Sequence, residues 1–497
     1  MAGITQLVPN YILGLSDQPD ELKLPGQVRE CKNTLPEITA GLTKRPGGKL
    51  IAPVNVANNG CYFHYFRDND EQYVGQIARN GTVKIYRCSD GQEYAYGNPT
   101  GSAIVYDTDE TDPSTTVLGQ ASSYLTHSSD EDLQFLTVND FTFITNRLKT
   151  VAMASTTEPV RPAEAFIELK QVAYSSQYGV EIFAPTSSNT VDVTTAARVS
   201  HTVTGLNTEN GTCPNVGTGI FNLSSGSNKK NLYVRITTTG QSLPDSITSD
   251  ESDYDCRYTT VVDLLYGGEG WQEGDTVTAD LKNATYTIQI DEINSATVRA
   301  DHVIRPRPTP FTGETTITAN SILGDLRTEI LDNTTGFTAE IIGNGLYLTK
   351  SSDFNVTSSE TPLLNILTDQ VNDVGKLPTQ CKHGYVVKVA NSTAVEDDYY
   401  VRFEGQNGQD GEGSWVECAK PGIKISFDPE TMPLQIKRKA NGDFKVGYPN
   451  WDNRLVGDDD SNPKPSFVNK TINKILFFRN RLVSQSRSSH QIVQQFL

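Results

Sequence analysis

Short segments in which apolar and polar residues alternate with period two, each closed by a turn dipeptide, recur along this chain and restrict it to a fold built mostly from antiparallel strands. Tyr73-Val74-Gly75-Gln76-Ile77 and Val83-Lys84-Ile85-Tyr86 flank Asn80-Gly81, residue types that accept the positive φ of a tight hairpin turn. Leu434-Gln435-Ile436-Lys437 and Phe444-Lys445-Val446 repeat the arrangement around Asn441-Gly442, and Glu340-Ile341-Ile342 with Leu346-Tyr347-Leu348 does so around Asn344. Further strands are expected at 141–144, 232–236, 286–290 and 399–403. Helix is the minority expectation. One helix follows Asn320 or Ser321 and puts Ile322, Leu323, Leu326 and Ile330 on one face; a second starts at Pro362 with Leu363, Leu364 and Leu367 inward.

A chain of 497 residues is long enough for two to four domains. Pro159 and Pro162 mark a boundary between Glu158 and Ala163. Residues 186–246, rich in Thr, Ser, Asn and Gly, read as a β insertion with long loops. Arg305-Pro306-Arg307-Pro308-Thr309-Pro310 reads as a rigid connector, since each proline removes a ladder donor.

Chemistry is sparsely signalled. The formal charge of −18 makes the surface as a whole repel phosphates, which argues against a general DNA binder. The seven cysteines form no CxxC pair and read as the scattered thiols of a chain made in a reducing cytoplasm. Met1–Gln6 lacks a basic n-region and apolar run, and no stretch has the length of a membrane span. None of the six histidines lies in HExxH, and there is no GxSxG. Lys44-Arg45-Pro46-Gly47-Gly48-Lys49 lacks P-loop spacing and is a basic turn. Asp458-Asp459-Asp460 lacks the glycine and terminal glutamate of a calcium loop and reads as a crowded turn. Asp107, Asp109, Glu110 and Asp112 read as an acidic outer turn, whereas Ser461–Leu497 holds no acid and six basic residues, Lys464, Lys470, Lys474, Arg479, Arg481 and Arg487.

The ends of the chain carry a resemblance. Gly14-Leu15-Ser16-Asp17-Gln18-Pro19, Pro25-Gly26-Gln27 and Gly41-Leu42-Thr43-Lys44-Arg45-Pro46 near the start are similar to a motif series of the tail tubular protein B, or nozzle, family of short-tailed bacteriophages. Asp140–Arg147 in the middle also fits, as do Trp415-Val416-Glu417, Thr431-Met432-Pro433, Trp451, Arg454, Gly457-Asp458-Asp459, Asn462–Phe467 and Arg479-Asn480-Arg481. The resemblance implies a mainly β, multidomain protein with a β-sheet platform, a propeller-like core, a β-rich nozzle insertion and few helices. The implied parts are platform and first propeller-like strands at 1–160, an inserted nozzle and fibre-dock region with a minor helix at 161–390, and a return to platform and propeller at 391–497. It further implies a structural subunit of a homo-hexameric tube, below a dodecameric adaptor, with tail fibres docking nearby and genomic DNA passing through. No catalysis, cofactor, metal or stable membrane insertion is implied. Gln18, Pro19, Asn33, Lys44, Arg45, Trp415, Trp451, Arg454, Arg479 and Arg481 are the expected assembly positions. After Leu482 relatives continue with a further strand and several hundred residues; the different Val483–His490 run reads as a truncation or frameshift, with a tail that is frayed or docked as a lone strand. Two rival expectations remain: a virion-associated glycan hydrolase using two carboxylates, and a receptor-binding module with tyrosine-rich β surfaces.

Overall fold

The computed structural model describes residues 11–54, 60–108, 116–208, 213–244, 254–311, 316–359, 362–390, 393–479, 481–486 and 489–493. It is mainly β, with two α-helices among the described residues, α1 (Leu118–Leu125) and α2 (Ala319–Asn333). The chain divides into two compact units: residues 1–151, 429–450 and 469–497 form the first, and 152–428 with 451–468 the second.

In the first unit the Asn-Gly turns do what their chemistry predicts. Gln72–Ala78 pairs with Val83–Arg87, and Leu434–Arg438 with Phe444–Gly447. Both hairpins belong to one nine-stranded sheet, in the order Gly60–Phe66, Gln72–Ala78, Val83–Arg87, Glu93–Tyr96, Ala103–Tyr106, Phe444–Gly447, Leu434–Arg438, Phe141–Asn146, Leu133–Val138. The late hairpin enters this sheet in the middle, running parallel to Ala103–Tyr106. Buried Asp443 secures the joint: its carboxylate accepts the amide hydrogens of Gly101 (2.6 Å) and Ala103 (3.0 Å) and one from the Asn441 side chain (2.7 Å). The sheet curls until its outer strands meet, with Phe63 stacked on Phe135 at 5.0 Å and the Thr137 hydroxyl donating to the His64 carbonyl at 3.3 Å. Inside, Tyr65, Tyr73 and Tyr94 surround Phe444 edge-on at 5.5, 5.2 and 5.2 Å, the favoured geometry for aromatic quadrupoles. Helix α1 covers this core with Ala121, Tyr124 and Leu125.

The second unit holds a six-stranded, nearly closed barrel. Its strands are β1 (Thr190–Thr204), β2 (Gly217–Ser225), β3 (Lys229–Pro244), β4 (Tyr254–Glu269), β5 (Thr276–Leu281) and β6 (Ala284–Arg299). They form two sheets, β1-β6-β5 and β2-β3-β4. Close approach of β1 to β4 joins the sheets along one side: the Gly270 amide donates to the Thr194 carbonyl (3.2 Å), and His201 Nε2 meets the Thr260 hydroxyl (3.0 Å). Period-two alternation fills the interior with Leu232, Val234 and Ile236 from β3, Tyr286, Ile288 and Ile290 from β6, and Trp271. The remaining strands of this unit form four-, three- and five-stranded sheets, and α2 lays Ile322, Leu323, Leu326 and Ile330 on the core between Ala165, Ile167 and Leu346. Thr318 and Ser321 cap α2 reciprocally, as a capping box. The Arg305–Pro310 stretch is extended chain outside any strand, and the Arg305 guanidinium forms a buried ion pair with Glu181.

The Thr/Ser-rich region is a β insertion as expected, with β1 and β3 spanning 15 and 16 residues, but three expectations need correction. Residues from Pro362 form no helix; Leu364–Leu367 is a strand pairing antiparallel with Ala163–Leu169, Leu367 opposite Phe166, because an apolar run this short takes its conformation from the neighbouring ladder. The described part of the Ser/Gln-rich tail is not a lone strand: Ser489–Val493 is the third strand of a sheet with Ile472–Phe478 and Arg481–Ser486. The thiol reading fails at two positions, since Cys213 and Cys256 are disulfide-bonded.

Candidate assembly surfaces

The first motif series folds as an arm with almost no interior. Leu13–Ser16 runs beside Gly26–Val28 through Leu13 N–H to Gly26 O (3.2 Å), Val28 N–H to Gly14 O (2.9 Å) and Ser16 N–H to Val28 O (3.1 Å). Pro19 then starts a 3-10 turn, its carbonyl accepting the Leu22 amide at 2.9 Å, while the Gln18 carbonyl takes the Lys23 ammonium at 2.5 Å. Asn33 sits in the left-handed region at φ 56°, which Asn tolerates better than most residues, and its carbonyl accepts the Arg45 amide (2.9 Å). That bond closes the two-stranded ladder of Thr34–Glu37 with Gly41–Lys44. The motif residues of this arm are therefore used largely through their backbones. What the arm presents outward is apolar, with charges of both signs. Leu22, Leu24, Ile38 and Leu50 are 67, 60, 86 and 80% exposed, and Ile12, Leu13, Leu15, Leu35, Leu42 and Ile51 are also exposed. Lys44, Arg45 and Lys49 are exposed. A two-stranded ladder with neither face covered has little stability of its own.

Of the later motif residues, Trp415, Trp451 and Arg454 belong to the second unit, Arg479 and Arg481 to the first. Trp415, on Gly411–Cys418, lies edge-on to Phe403 at 5.2 Å and donates its indole N–H to the Pro378 carbonyl at 2.8 Å. Trp451 meets Phe427 edge-on at 6.4 Å, and Phe427 in turn meets Phe467 at 5.7 Å. The Arg454 amide donates to the Ile425 carbonyl (2.7 Å), and its guanidinium pairs with Asp459 (3.0 Å), which also takes Lys464 (3.1 Å). The Arg454 side chain is only 7% exposed, so its pairing is less screened than a surface bridge. Asp458 turns inward, its carboxylate accepting from the amides of Asp460 and Ser461 (both 3.1 Å) and the Tyr400 hydroxyl (3.3 Å). Burial pushes this carboxyl up, but those donors outweigh it and hold it below the usual range. The Asp458–Asp460 turn thus satisfies itself, in keeping with the crowded-turn reading. Arg479, at φ 47° in a tight turn, lies over the Phe478 ring, and exposed Arg481 opens the next strand.

The structure therefore groups Gln18, Pro19, Asn33, Lys44 and Arg45 on the arm, and Trp451 and Arg454 in one loop cluster, while Trp415, Arg479 and Arg481 lie on strands or turns of their own. Of the acidic outer turn only Asp107 is described, and it pairs with Lys445 at 2.7 Å; the remaining acids of the turn, with Arg487, lie outside the described residues. Sequence reasoning missed Asp443, whose only signal is an Asx residue beside a glycine turn.

Three clefts among the described residues bear on the hydrolase expectation. One, of 790 Å³ within the second unit, is lined by residues including Tyr178, Tyr233, Arg235, Arg307 and Phe311 and by a single carboxylate, Asp325, whereas glycoside hydrolysis needs two. A 580 Å³ cleft is lined by Glu164, which is already tied to Arg161 and Tyr347, and by Asp353 and Asp369, and a 290 Å³ cleft by Glu396, Asp397, Asp398 and Glu417. Among the described residues no group of three or more His, Cys, Asp and Glu is placed to hold a metal, and no helix is long and apolar enough to cross a membrane.

Comparison with known proteins agrees with the motif series. The model of the bacteriophage nozzle protein family matches residues 1–110, 93–260 and 276–490. Tail tubular protein gp12 of Escherichia phage T7 is 24% identical over 499 residues, covering 97% of this chain but 45% of that relative, so the chain spans about half the relative's length. With matches running through both units, the chain belongs to the bacteriophage nozzle protein family.

Proposed function

We propose that this chain is a structural virion protein, one subunit of a homo-hexameric tail nozzle that forms the DNA-ejection conduit of a short tail, beneath a dodecameric adaptor and beside the tail fibres. The observation that carries this reading is the family match along nearly the whole chain, together with a relative named as a tail tubular protein. Physical features agree with it. The net charge of −18 suits a channel that must let DNA slide past without holding it. The N-terminal arm suits a ring contact: its ten exposed large apolar side chains call for a covering partner, its Lys44, Arg45 and Lys49 turn offers that partner's acids a local contact, and a neighbouring copy of this acidic chain can supply both. A head-to-tail contact of that kind closes into a ring. In this reading residues 1–160 and 391–497 supply platform and propeller-like parts, 161–390 supply the nozzle and fibre dock, and the subunit acts through its interfaces rather than as an enzyme.

Electron microscopy of particles carrying this chain tests the proposal. A sixfold tube below a twelvefold ring, containing this chain, is expected. A peripheral or threefold position overturns it in favour of receptor binding, and cleavage of purified polysaccharide abolished by a single carboxylate substitution overturns it in favour of glycan hydrolysis.

A further inference from the structure

At one end of the six-stranded barrel, the described parts of the connection between β1 and β2, residues 205–208 and 213–216, are held to the barrel wall. Cys256 N–H, near the start of β4, donates to the Thr208 carbonyl at 3.0 Å, and the Tyr258 hydroxyl donates to the Asn207 carbonyl at 2.9 Å. Asn215 is 3% exposed and reaches both ways: its Oδ1 accepts the Asn207 amide at 2.8 Å, and its Nδ2 donates to the Lys282 carbonyl in the turn between β5 and β6 at 2.6 Å. Gly240 of β3 leaves room for Cys213, because a Cβ there would stand 2.6 Å from the Cys213 Cβ. The connection thus touches β3, β4 and the β5–β6 turn, and Cys213 and Cys256, with Cα atoms 5.5 Å apart, fasten it to the barrel wall. The other described cysteines, Cys31, Cys61, Cys88, Cys381 and Cys418, are free.

We propose that Cys213 and Cys256 are a reversible covalent lock on this barrel end, open as a dithiol while the chain is made and closed once it meets an oxidising medium. The two sulfurs are 43 residues apart in sequence, and only the folded barrel brings them together. The oxidant is a low-molecular-weight disulfide such as oxidised glutathione. The half-exposed Cys213 attacks it as thiolate and forms a mixed disulfide, expelling one glutathione thiolate. The thiolate of Cys256, which is 3% exposed, then displaces the second glutathione from the Cys213 sulfur. Two protein S–H bonds and one small-molecule S–S bond are consumed, one protein S–S bond and two glutathione thiols are formed, and two electrons pass to the glutathione. That the lock closes after cell lysis rests on the tail reading above; that the pair locks the barrel end does not.

The full chain, purified under reducing conditions, is divided between dithiothreitol and oxidised glutathione and followed by peptide mapping with thiol alkylation and by hydrogen exchange. Expected is one Cys213–Cys256 cross-link after oxidation, together with exchange at the Cys256 and Asn207 amides roughly tenfold or more slower than in the reduced protein, because the cross-link removes openings of a long loop. C213S should exchange like the reduced wild type in both media, and C88S should leave the difference intact. Equal alkylation of Cys213 and Cys256 after oxidation, or a cross-link that leaves the two amides unchanged, overturns the lock. Mapping the same peptides from intact particles addresses timing: a locked isolated chain with free thiols in released particles overturns closure after lysis alone.

Discussion

Replacing Asp443 by alanine should loosen the first unit by about 3 kcal/mol, the sum expected when charge-assisted bonds to two enclosed amides and one side-chain amide are lost, less the cost of burying the carboxylate. The amides of Gly101 and Ala103 would then have no acceptor at the point where Phe444–Gly447 joins Ala103–Tyr106. The isostere D443N keeps one oxygen for both amides and gives up the charge and the bond from the exposed Asn441 side chain, which water can replace, so it should cost about 1 kcal/mol. Hydrogen exchange of the peptides covering 103–106 and 444–447 reads the difference as rates about 150-fold faster in D443A and about fivefold faster in D443N. Trp271, Trp415 and Trp451 all belong to the second unit, so tryptophan fluorescence should stay put and show that the damage is local. pH adds a second signature. Burial raises the Asp443 carboxyl, yet the Ala103 and Gly101 amides and the Asn441 side chain bring it below the ordinary value. Its contribution is therefore fully present above the unfolded pKa of about 3.9 and is lost as pH falls through the lower folded value. Wild type and D443A should converge in acid, and D443A should lack that part of the acid loss. Exchange changed less than about threefold by D443A, or D443N as damaging as D443A, would refute the assignment of the joint to this carboxylate.

Thr318→Ala removes the cap of α2 and should cost about 1 kcal/mol, visible as faster exchange in the first turn of that helix; an unchanged first turn would count against the capping box. Gly267→Ala drives a Cβ into the Ala196 carbonyl oxygen where β1 and β4 meet, so an overpacking cost of about 2 kcal/mol is expected, with a red shift of tryptophan emission as the seat of Trp271 opens. An unshifted spectrum and unchanged melting would mean that the two sheets do not abut there. The triple variant K44E/R45E/K49E reverses the charge of the arm without touching a buried group; mass photometry should show rings giving way to single subunits, and intact rings would remove the arm from the contact.

Local chemistry made the hairpins legible. Asn80-Gly81 and Asn441-Gly442 each announce a turn, and the Ile322, Leu323, Leu326, Ile330 spacing announces α2. Partner choice over long distances was not legible. Nothing in Phe444–Gly447 says that its second neighbour is Ala103–Tyr106, and nothing in Leu364–Leu367 distinguishes a short helix from a strand until Ala163–Leu169 supplies the ladder. The disulfide was hidden for the same reason, since proximity of Cys213 to Cys256 is a property of the closed barrel. Motif positions could be named from resemblance, but their local structure could not: Asn33 takes a positive φ and its carbonyl accepts the Arg45 amide, and Arg454 is itself enclosed while pairing with the exposed Asp459.

The parallel placement of Phe444–Gly447 beside Ala103–Tyr106 sets a clock for synthesis. The ribosome delivers Phe141–Asn146 roughly 290 residues before the hairpin that must pair with it, an interval of about 15–60 s at about 5–20 residues per second. Throughout that interval Ala103–Tyr106 and Phe141–Asn146 each present an open edge, while the run 152–428 already contains most of its own partners. The first unit begins earliest and finishes last, so the nascent chain is most exposed to mispairing with its siblings on the same message just before residue 434 emerges.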